Sequence, residues 1–175
     1  SFAKAKYQIT IIEFWDDIFI FDKKWLKEFL DAYKKEIALP FKCYIHVNLF
    51  DEDIAVWLKD AGCKRVDFGI QHINEKYRKE YLKRNELNAN IINTLNLLKK
   101  YNIVAFADYI VGLPGDTLEH NEEARLFFLD HMPDIIEPYW MSYHPKTEII
   151  EKGFEHNILN DEIMDSITQG SPHSY

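Results

Sequence analysis

Residues 103–117 read IVAFADYIVGLPGDT, an apolar strand pattern that runs into a short loop bounded by Gly112 and Gly115. The β-branched and aromatic residues up to Val111 are typical of a strand. Glycine and proline favour a tight turn in the loop, and Thr117 then stands where a helix N-cap is expected. The apolar face of that helix would be formed by Ala124, Phe127, Phe128 and His131. The stretch therefore predicts a strand, an exposed loop and a helix in succession.

The same alternation of strand and helix extends over the rest of the chain. Strands are expected at Gln8–Phe14, Phe41–Val47, Arg65–Ile70, Ile103–Val111 and Ile135–Ser142. Apolar residues at helical spacing separate them, with Asp22, Asp51 and Asn88 as N-caps. Strands that are connected through helices pair in parallel with right-handed crossovers. Since five strands are too few for a closed eight-stranded barrel, we expect an α/β fold with an open sheet or a partial barrel.

The composition limits the classes of function. The 175 residues are enough for one domain, and a hydrophobic content of 47% is ample for a packed core. A net charge of −8 disfavours a nucleic-acid partner, and no apolar run is long enough to span a bilayer. The two cysteines, Cys43 and Cys63, form neither a metal clip nor a disulfide scaffold, so a reducing, cytoplasmic location is expected. The first residues lack an initiating Met and a signal-peptide pattern, which predicts a piece of a longer polypeptide.

Polar side chains stand at the ends of the first two predicted strands. Asp16 and Asp17 directly follow the first strand, where they could bind a metal, accept hydrogen bonds from an amine or form an ordinary turn. In the second strand Tyr44, His46 and Asn48 alternate with apolar residues. A parallel strand covered by helices on both faces should be apolar throughout, so this polar face indicates a wet lumen. A purely structural role for His46 stays open at this point.

The third and fourth strands show the same signature. Asp67, Gly69 and Gln71 would face the lumen, with His72 at the rim, and Gly69 would let a ligand approach the backbone. The loop at residues 112–115 exposes backbone groups that suit the edge of a planar base, although an ordinary turn would look the same. Phosphate-loop, Gly-x-Ser-x-Gly and His-Glu-x-x-His motifs are absent from the sequence. Together the strand ends predict a site for a polar, extended small molecule.

Several segments carry a resemblance to a known family. They are Ile12–Phe19, Leu58–Gln71, Tyr81–Arg84, Ile110–Thr117 and His144–Thr147. Their order and spacing resemble the radical S-adenosylmethionine (SAM) superfamily, in particular the branch that often carries a cobalamin-binding domain upstream. The resemblance spans roughly residues 8–152. It implies a partial (β/α)6 TIM-like barrel of parallel strands, of which this chain supplies strands two to six while the first β/α unit is missing. Residues 1–153 would form this barrel and residues 154–175 a C-terminal extension.

The resemblance implies a first set of residues around SAM. Asp16 and Asp17 match the family segment near the methionyl amino group. Asn48 matches a polar position that often lines the SAM pocket, and His46 lies on the same face of that strand. Arg84 matches an arginine that contacts the SAM carboxylate or braces a helix. These roles are expectations from the family pattern, except that of His46, which rests on the alternation of its strand.

A second set is implied around the nucleoside end of SAM. Gln71, with His72 beside it, matches the polar position of the fourth family strand near the ribose. Gly112, Leu113 and Pro114 match the fifth-strand segment that holds the adenine through backbone contacts. Neither a catalytic residue nor a metal ligand is assigned within the chain.

The sequence departs from the family pattern in two places. The Cys-x3-Cys-x2-Cys loop, whose thiolates hold a 4Fe–4S cluster, is absent, and Cys43 and Cys63 lack the spacing to replace it. Lys146 stands where the family often has glycine. The implied cofactors are SAM and, in the parent protein, the cluster and possible cobalamin. The implied partners are a small-molecule substrate, the upstream part of the same chain and an electron donor, with no nucleic acid or membrane. The fragment alone is expected to be inactive.

Two other functions are compatible with the residues. A receiver-like domain would bind Mg²⁺ at Asp16 and Asp17 beside a phosphate-accepting aspartate, but the third strand ends in Gln71 and His72. A non-catalytic binding or scaffold remnant would keep the fold without a working site. The resemblance favours a radical SAM enzyme that cleaves SAM to a 5′-deoxyadenosyl radical.

Overall fold

The computed structural model describes residues 6–170 and 173–174. Five strands form the main sheet: β1 (Ile12–Phe14), β2 (Phe41–Tyr44), β3 (Cys63–Gln71), β4 (Val104–Val111) and β5 (Ile135–Trp140). Their order in the sheet is the order along the chain, and they run parallel. Ile12 lies opposite Phe41, and Tyr44 lies opposite Asp67. A separate antiparallel pair joins β6 (Ser142–Tyr143) to β7 (His173–Ser174).

Seven helices are described between and after the strands. They are α1 (Lys23–Glu36), α2 (Glu52–Ala61), α3 (Glu75–Tyr81), α4 (Asn88–Lys100), α5 (Leu118–Asp130), α6 (Ile149–Glu155) and α7 (Asp161–Thr168). Asp22 caps α1 by accepting from the Trp25 N–H at 2.9 Å, and Asp51 caps α2 by accepting from the Ile54 N–H at 3.0 Å. These caps satisfy N–H groups that have no partner inside the helix. The predicted α/β fold class and these two helix starts are confirmed.

The described residues divide into two compact units, of which the first contains residues 6–70, 86–107 and 131–136. An aromatic cluster joins β1, α1 and β2 in its core. The Phe14 ring stacks on Phe19 at 4.6 Å between centroids and meets Phe41 edge-on at 5.5 Å. Tyr33 of α1 meets Phe41 at 5.3 Å. Such aromatic pairs add about 0.5–1.5 kcal/mol each to the burial of their surface, so they hold α1 on the sheet.

The strands of this unit have one apolar and one polar face, as their alternation predicts. Phe41 and Cys43 of β2 are buried, whereas Lys42 and Tyr44 are half-buried. Lys42 forms an ion pair with Glu13 of β1. On β3, Arg65 donates to both carboxylate oxygens of Asp67 at 2.6 Å, and its guanidinium lies 3.9 Å from the centre of the Phe106 ring. The polar face is therefore a set of paired charges.

The second unit contains residues 71–85, 108–130, 137–170 and 173–174. Its small core consists of Tyr143, Leu159 and Ile167. Gly153 in α6 lies directly against this core, because a Cβ atom there would stand 2.6 Å from Leu159 Cδ1. That distance is shorter than carbon atoms tolerate, so the packing of α6 depends on the missing side chain.

Several predicted boundaries differ from the structure. β1 begins at Ile12 rather than Gln8, and β2 ends at Tyr44 because a 3-10 turn at Val47–Leu49 follows. Asn88 is not a cap: α4 begins at that residue, and Leu87 before it offers no side-chain hydrogen bond. Helix α6 was not predicted, and the proposed domain boundary after residue 153 falls inside it and stays a prediction. Among the described helices, none combines the length and the apolar character that a membrane span requires.

Candidate functional site

The loop that joins β4 to α5, residues 112–115, lies in the second unit and is called the glycine loop here. Gly112 and Gly115 both have φ near +76°. Glycine adopts this left-handed conformation freely, whereas a residue with a side chain rarely does. The Asp116 N–H donates to the Leu113 carbonyl at 3.1 Å and closes the turn. The sequence therefore fixes a sharp reversal at the end of β4.

A stack of three aromatic rings supports the glycine loop. His72, Tyr77 and Tyr81 follow one another with ring centroids 4.3 Å apart at each step. The Tyr77 hydroxyl donates to the Pro114 carbonyl at 2.5 Å and is buried. Burial, followed by the nearby Asp116 charge, raises the pKa of Tyr77 above its usual range, so the hydroxyl keeps its proton. The stack thus contacts the loop through a hydroxyl that keeps its donor proton.

The loop also has a close neighbour at Gly115. A Cβ atom on this residue would lie 2.7 Å from the His156 ring and 3.2 Å from the Tyr81 hydroxyl. Tyr81 and His156 are themselves hydrogen-bonded at 3.1 Å. The backbone conformation therefore favours glycine at this position, and a side chain here would also have to displace the His156 ring.

Asp116, directly after the loop, accepts three hydrogen bonds on one carboxylate oxygen. Its Oδ1 lies 2.9 Å from the Thr117 N–H, 3.2 Å from His120 Nδ1 and 3.4 Å from His72 Nε2. Burial alone would raise the pKa of Asp116, but the donors from His72, Thr117 and His120 outweigh it and lower that pKa. Asp116 is therefore an ionised carboxylate next to the N-terminus of α5, where a negative charge is favourable.

His72, Asp116 and His120 also have the donor types and proximity of a metal site, since their ligand atoms lie within 4.8 Å of one another. The donor edges of a tetrahedral zinc site are roughly 3.3–3.4 Å long, close to the two distances above. The tautomer of His72 argues against a metal. Its Nδ1 accepts from the Asn74 N–H at 3.1 Å, so in the neutral ring the proton stands on Nε2, the atom that a metal would need. Metal-binding histidines donate from their second nitrogen instead.

A cavity of about 520 Å³ opens beside the glycine loop. Its volume falls in the range of small-molecule sites. An exposed tryptophan, residues of the glycine loop and several polar residues surround it. The lining residues are Val111, Gly112, Leu113, Asp116, Thr117, Leu118, Asn121 and Trp140. This combination suits a ligand with one planar face and a polar remainder.

The other residues predicted for the nucleoside or carboxylate end of the ligand have distinct positions in this unit. Gln71 ends β3 with φ of +64°, an uncommon backbone conformation for a residue with a side chain. His72 is fully buried. Pro114 is buried under the Tyr77 hydroxyl. Arg84 is half-buried, and its N–H donates to the Arg78 carbonyl at 3.1 Å. Their roles toward a ligand stay predictions.

The remaining predicted residues belong to the first unit. Asp16 and Asp17 are exposed in the turn after β1. His46 is half-buried: its Nδ1 accepts from the Asn48 N–H at 3.3 Å, and its Nε2 lies 3.2 Å from the buried Glu86 carboxylate. Asn48 is exposed and accepts from the Asn90 side chain at 2.8 Å. The structure thus brings His46 and Asn48 together in one turn, and their ligand roles stay predictions.

The two cysteines do not fit an iron–sulfur cluster. Cys43 and Cys63 are free thiols, buried on the apolar side of neighbouring strands. The hydrogen bond with Cys63, and then burial, raise the pKa of the Cys43 thiol well above its usual range. Cluster ligation requires thiolates, and a pair of core thiols cannot supply three of them. These residues belong to the hydrophobic core.

Of the cavity lining, the sequence analysis assigned only Gly112 and Leu113 to the site; it missed the other six residues, among them Asp116 and Trp140, and it also missed His120, which contacts Asp116. The spacing of Asp116 and His120 by four residues at the start of a helix was a usable signal, because such residues lie on one face. The contribution of His72 to the same carboxylate could not be read, since it comes from a segment distant in sequence. Trp140 was predicted only as part of the strand Ile135–Ser142.

The sequence profile of the Radical SAM superfamily matches residues 18–128, and the chain belongs to this superfamily. The predicted family and the predicted barrel-type sheet of parallel strands are thereby confirmed. Members of the family use SAM and a 4Fe–4S cluster, and the motif that would hold the cluster is absent from this sequence.

The chain is also similar to one curated protein and to several solved structures. An uncharacterized methyltransferase of Pyrococcus horikoshii is 27% identical over 91% of this chain, which spans 35% of that protein. The radical SAM methyltransferase TsrM of Kitasatospora setae, solved with cobalamin and a 4Fe–4S cluster bound, has a TM-score of 0.73 at 19% identity. That match covers 84% of this chain and 28% of TsrM. Archaeal Elp3 of Methanocaldococcus infernus has a TM-score of 0.66 at 19% identity, with coverage of 98% and 43%. The structural matches establish the fold alone, and the chain spans about a third of its curated relative.

Proposed function

We propose that this chain forms part of the SAM site of a radical SAM enzyme, and that the cavity beside the glycine loop takes the nucleoside end of SAM. The observation that carries the proposal is the composition of this cavity: Gly112, which has only backbone atoms, and Leu113 line it together with the exposed Trp140. An adenine base needs both an aromatic or apolar surface for its face and backbone polar groups for its edge.

The polar residues of the cavity would contact the ribose. Asp116, Thr117 and Asn121 supply a carboxylate, a hydroxyl and an amide at its lining. Asp116 Oδ1 already accepts three donors, whereas the structure gives Oδ2 no donor from the described residues. That second oxygen can accept a hydrogen bond from a ribose hydroxyl. Asp16, Asp17, His46 and Asn48 belong to the first unit and stay predicted SAM contacts that are not assigned to this cavity.

In the whole protein, a reduced 4Fe–4S cluster would supply the electron that cleaves SAM to a 5′-deoxyadenosyl radical. The residues of this chain would bind and orient SAM for that reaction. We attribute the cluster ligands, the electron donor and the reacting substrate to other parts of the parent protein or to its partners. Because the chain belongs to the Radical SAM superfamily, the receiver-like alternative is set aside. The binding test below distinguishes a working SAM site from a non-catalytic remnant.

The names of the relatives favour methyl transfer as the reaction of the whole protein. Two of the proteins similar to this chain are described as methyltransferases, and one of them was solved with cobalamin. A cobalamin requirement would therefore belong to the same proposal. It would be tested on the full-length enzyme, by asking whether methylated product forms only when cobalamin is supplied.

The binding test uses this chain and radiolabelled SAM in equilibrium dialysis. Trp140→Ala removes the proposed stacking surface, and we expect the Kd for SAM to rise about tenfold, the size of one base–aromatic stack. Trp25→Ala is the matched control, because Trp25 is also partly exposed but lies on α1 in the first unit. Absence of SAM binding by the wild-type chain, or equal affinity of W140A and wild type, would refute the proposed site.

A further inference from the structure

His72 is held in one orientation by the turn that follows β3. The residue has no exposed surface. Its Nδ1 accepts from the Asn74 N–H at 3.1 Å, and its carbonyl accepts from Arg78 Nη1 at 2.5 Å. A neutral imidazole that accepts at Nδ1 carries its proton at Nε2. The backbone therefore makes His72 a donor in one fixed direction.

That donor is directed at the segment beside the cavity. Nε2 lies 3.4 Å from Asp116 Oδ1, and Asp116 closes the turn through Leu113. A second series of contacts starts from the His72 ring, which stacks on the Tyr77 ring. The Tyr77 hydroxyl in turn donates to the Pro114 carbonyl. Both series of contacts from His72 thus reach the glycine loop or its neighbour: one ends at Asp116 and the other at Pro114.

The chain contains the same local arrangement at His46. There too Nδ1 accepts from the N–H two residues further on, and Nε2 lies near a carboxylate, that of Glu86. His46 and His72 therefore share this hydrogen bond, although Asn48 lies in a 3-10 turn whereas Asn74 is the extended residue that caps α3. In both cases the bond at Nδ1 leaves the proton of a neutral ring on Nε2, and what differs is the carboxylate that this proton meets. At His72 that carboxylate lines the cavity.

We propose that His72 is a positioning residue, which fixes Asp116 and the glycine loop through its Nε2 proton so that the cavity has the shape to accept the nucleoside end of SAM. The identity of the ligand rests on the function proposed above. The ordering of the loop by His72 is independent of the ligand, and the two parts are tested separately.

Two substitutions separate the two hydrogen bonds of the His72 ring, the one with the Asn74 N–H and the one with Asp116. His72→Asn keeps an acceptor for the Asn74 N–H but loses the donor to Asp116. His72→Gln keeps an amide donor near the Nε2 position but loses the acceptor for Asn74. If His72 positions the loop, H72Q should resemble wild type and H72N should not; if His72 only stabilises its own turn, the order reverses.

The first readout is the affinity for 5′-methylthioadenosine, a compound with the nucleoside end of SAM and no amino acid, measured by calorimetry. We expect H72N to bind about tenfold more weakly, the effect of losing one hydrogen bond to a charged acceptor. H72Q should stay within about threefold of wild type. Equal affinities of H72N and wild type, or weaker binding by H72Q than by H72N, would overturn the proposal.

The second readout needs no ligand and covers the case in which wild type binds no adenosyl compound. Hydrogen exchange of the amides at residues 115–117 should be faster in H72N than in wild type, and unchanged in H72Q. Ile167→Val, which removes one buried methylene from the same unit, controls for general destabilisation and should leave these amides unchanged relative to the rest of the unit. Unaltered exchange in H72N would overturn the positioning role, whereas absent binding with altered exchange would refute only the proposed ligand.

Discussion

Tyr77 and Tyr109 show how one buried hydroxyl differs from another in the same unit. Both residues are buried, but Tyr77 donates to the Pro114 carbonyl at 2.5 Å, whereas the Tyr109 hydroxyl has no hydrogen-bond partner among the described residues. Burial, followed by the Asp116 charge, raises the pKa of Tyr109 to about 12, so its hydroxyl also stays protonated. A buried polar group without a partner costs free energy, whereas a paired one does not.

The two tyrosines therefore predict opposite effects for the same substitution. Tyr77→Phe should lower the free energy of unfolding by about 1 kcal/mol, because the Pro114 carbonyl loses its donor. Tyr109→Phe should leave it unchanged or raise it by up to about 1 kcal/mol, because an unpaired hydroxyl is removed. Urea titrations followed by circular dichroism measure both. A larger loss in Y109F than in Y77F would contradict the hydrogen bonding described here.

At the level of single residues, the sequence indicated less of the site than of the fold. The glycine loop could be read because Gly112, Pro114 and Gly115 have strong conformational preferences. The three donors on Asp116 could not, because two of them come from side chains whose positions depend on packing. The fixed tautomer of His72 likewise depends on a backbone turn that its sequence does not specify alone.

Among the elements, α6 shows how packing can outweigh helix propensity. Glycine inside a helix is about 1 kcal/mol less favourable than alanine, so Gly153 is a poor helix residue and helped to hide α6 from sequence reasoning. Its Cα faces Leu159, which is only 4% exposed and belongs to the core of the second unit. Glycine is accommodated at position 153 because it allows close packing against Leu159, despite its low helix propensity.

Gly153→Ala should therefore destabilise the protein, the opposite of the usual result in a helix. We expect a loss of about 1–3 kcal/mol, the range for overpacking a close-packed core. The measurement is the midpoint of urea unfolding. In a Leu159→Ala background, where space is available, the same substitution should cost less or become stabilising. A stabilising G153A in the wild-type background would contradict the contact with Leu159.

The predicted elements were correct where local signals and tertiary packing agree. Asp22 and Asp51 begin helices because an aspartate acceptor precedes an amphipathic run, and both caps form. Asn88 fails as a cap because the helix already includes it. The strand expected from Gln8 is shortened to Ile12–Phe14, since only those residues pair with β2. The ends of a strand are set by its pairing with the neighbouring strand, which cannot be read from the sequence of one strand alone.

For the whole molecule, the cluster that the family uses needs cysteine ligands that this chain does not offer. The family depends on a 4Fe–4S cluster, whereas this chain offers only the buried thiols Cys43 and Cys63. A chain with this sequence should therefore bind SAM without assembling a cluster. The chemistry would need ligands that the sequence does not contain.

Anaerobic reconstitution with iron and sulfide tests this separation. We expect the purified chain to retain no more iron than a Cys43→Ser/Cys63→Ser variant, and to release no 5′-deoxyadenosine from SAM in the presence of a reductant. The double variant is the matched control because it removes every thiol in the sequence. Stoichiometric cluster in the wild-type chain together with SAM cleavage would contradict the fit that we infer for the cysteines.

The most direct test of the central claim is a crystal structure of this chain with S-adenosylhomocysteine, a stable relative of SAM. We expect the adenine to lie in the cavity beside the glycine loop, with its face against Trp140 and its edge against the backbone of Gly112 and Leu113. Adenine density at another part of the protein, or an empty cavity at saturating ligand, would contradict the claim that this cavity binds the nucleoside end of SAM.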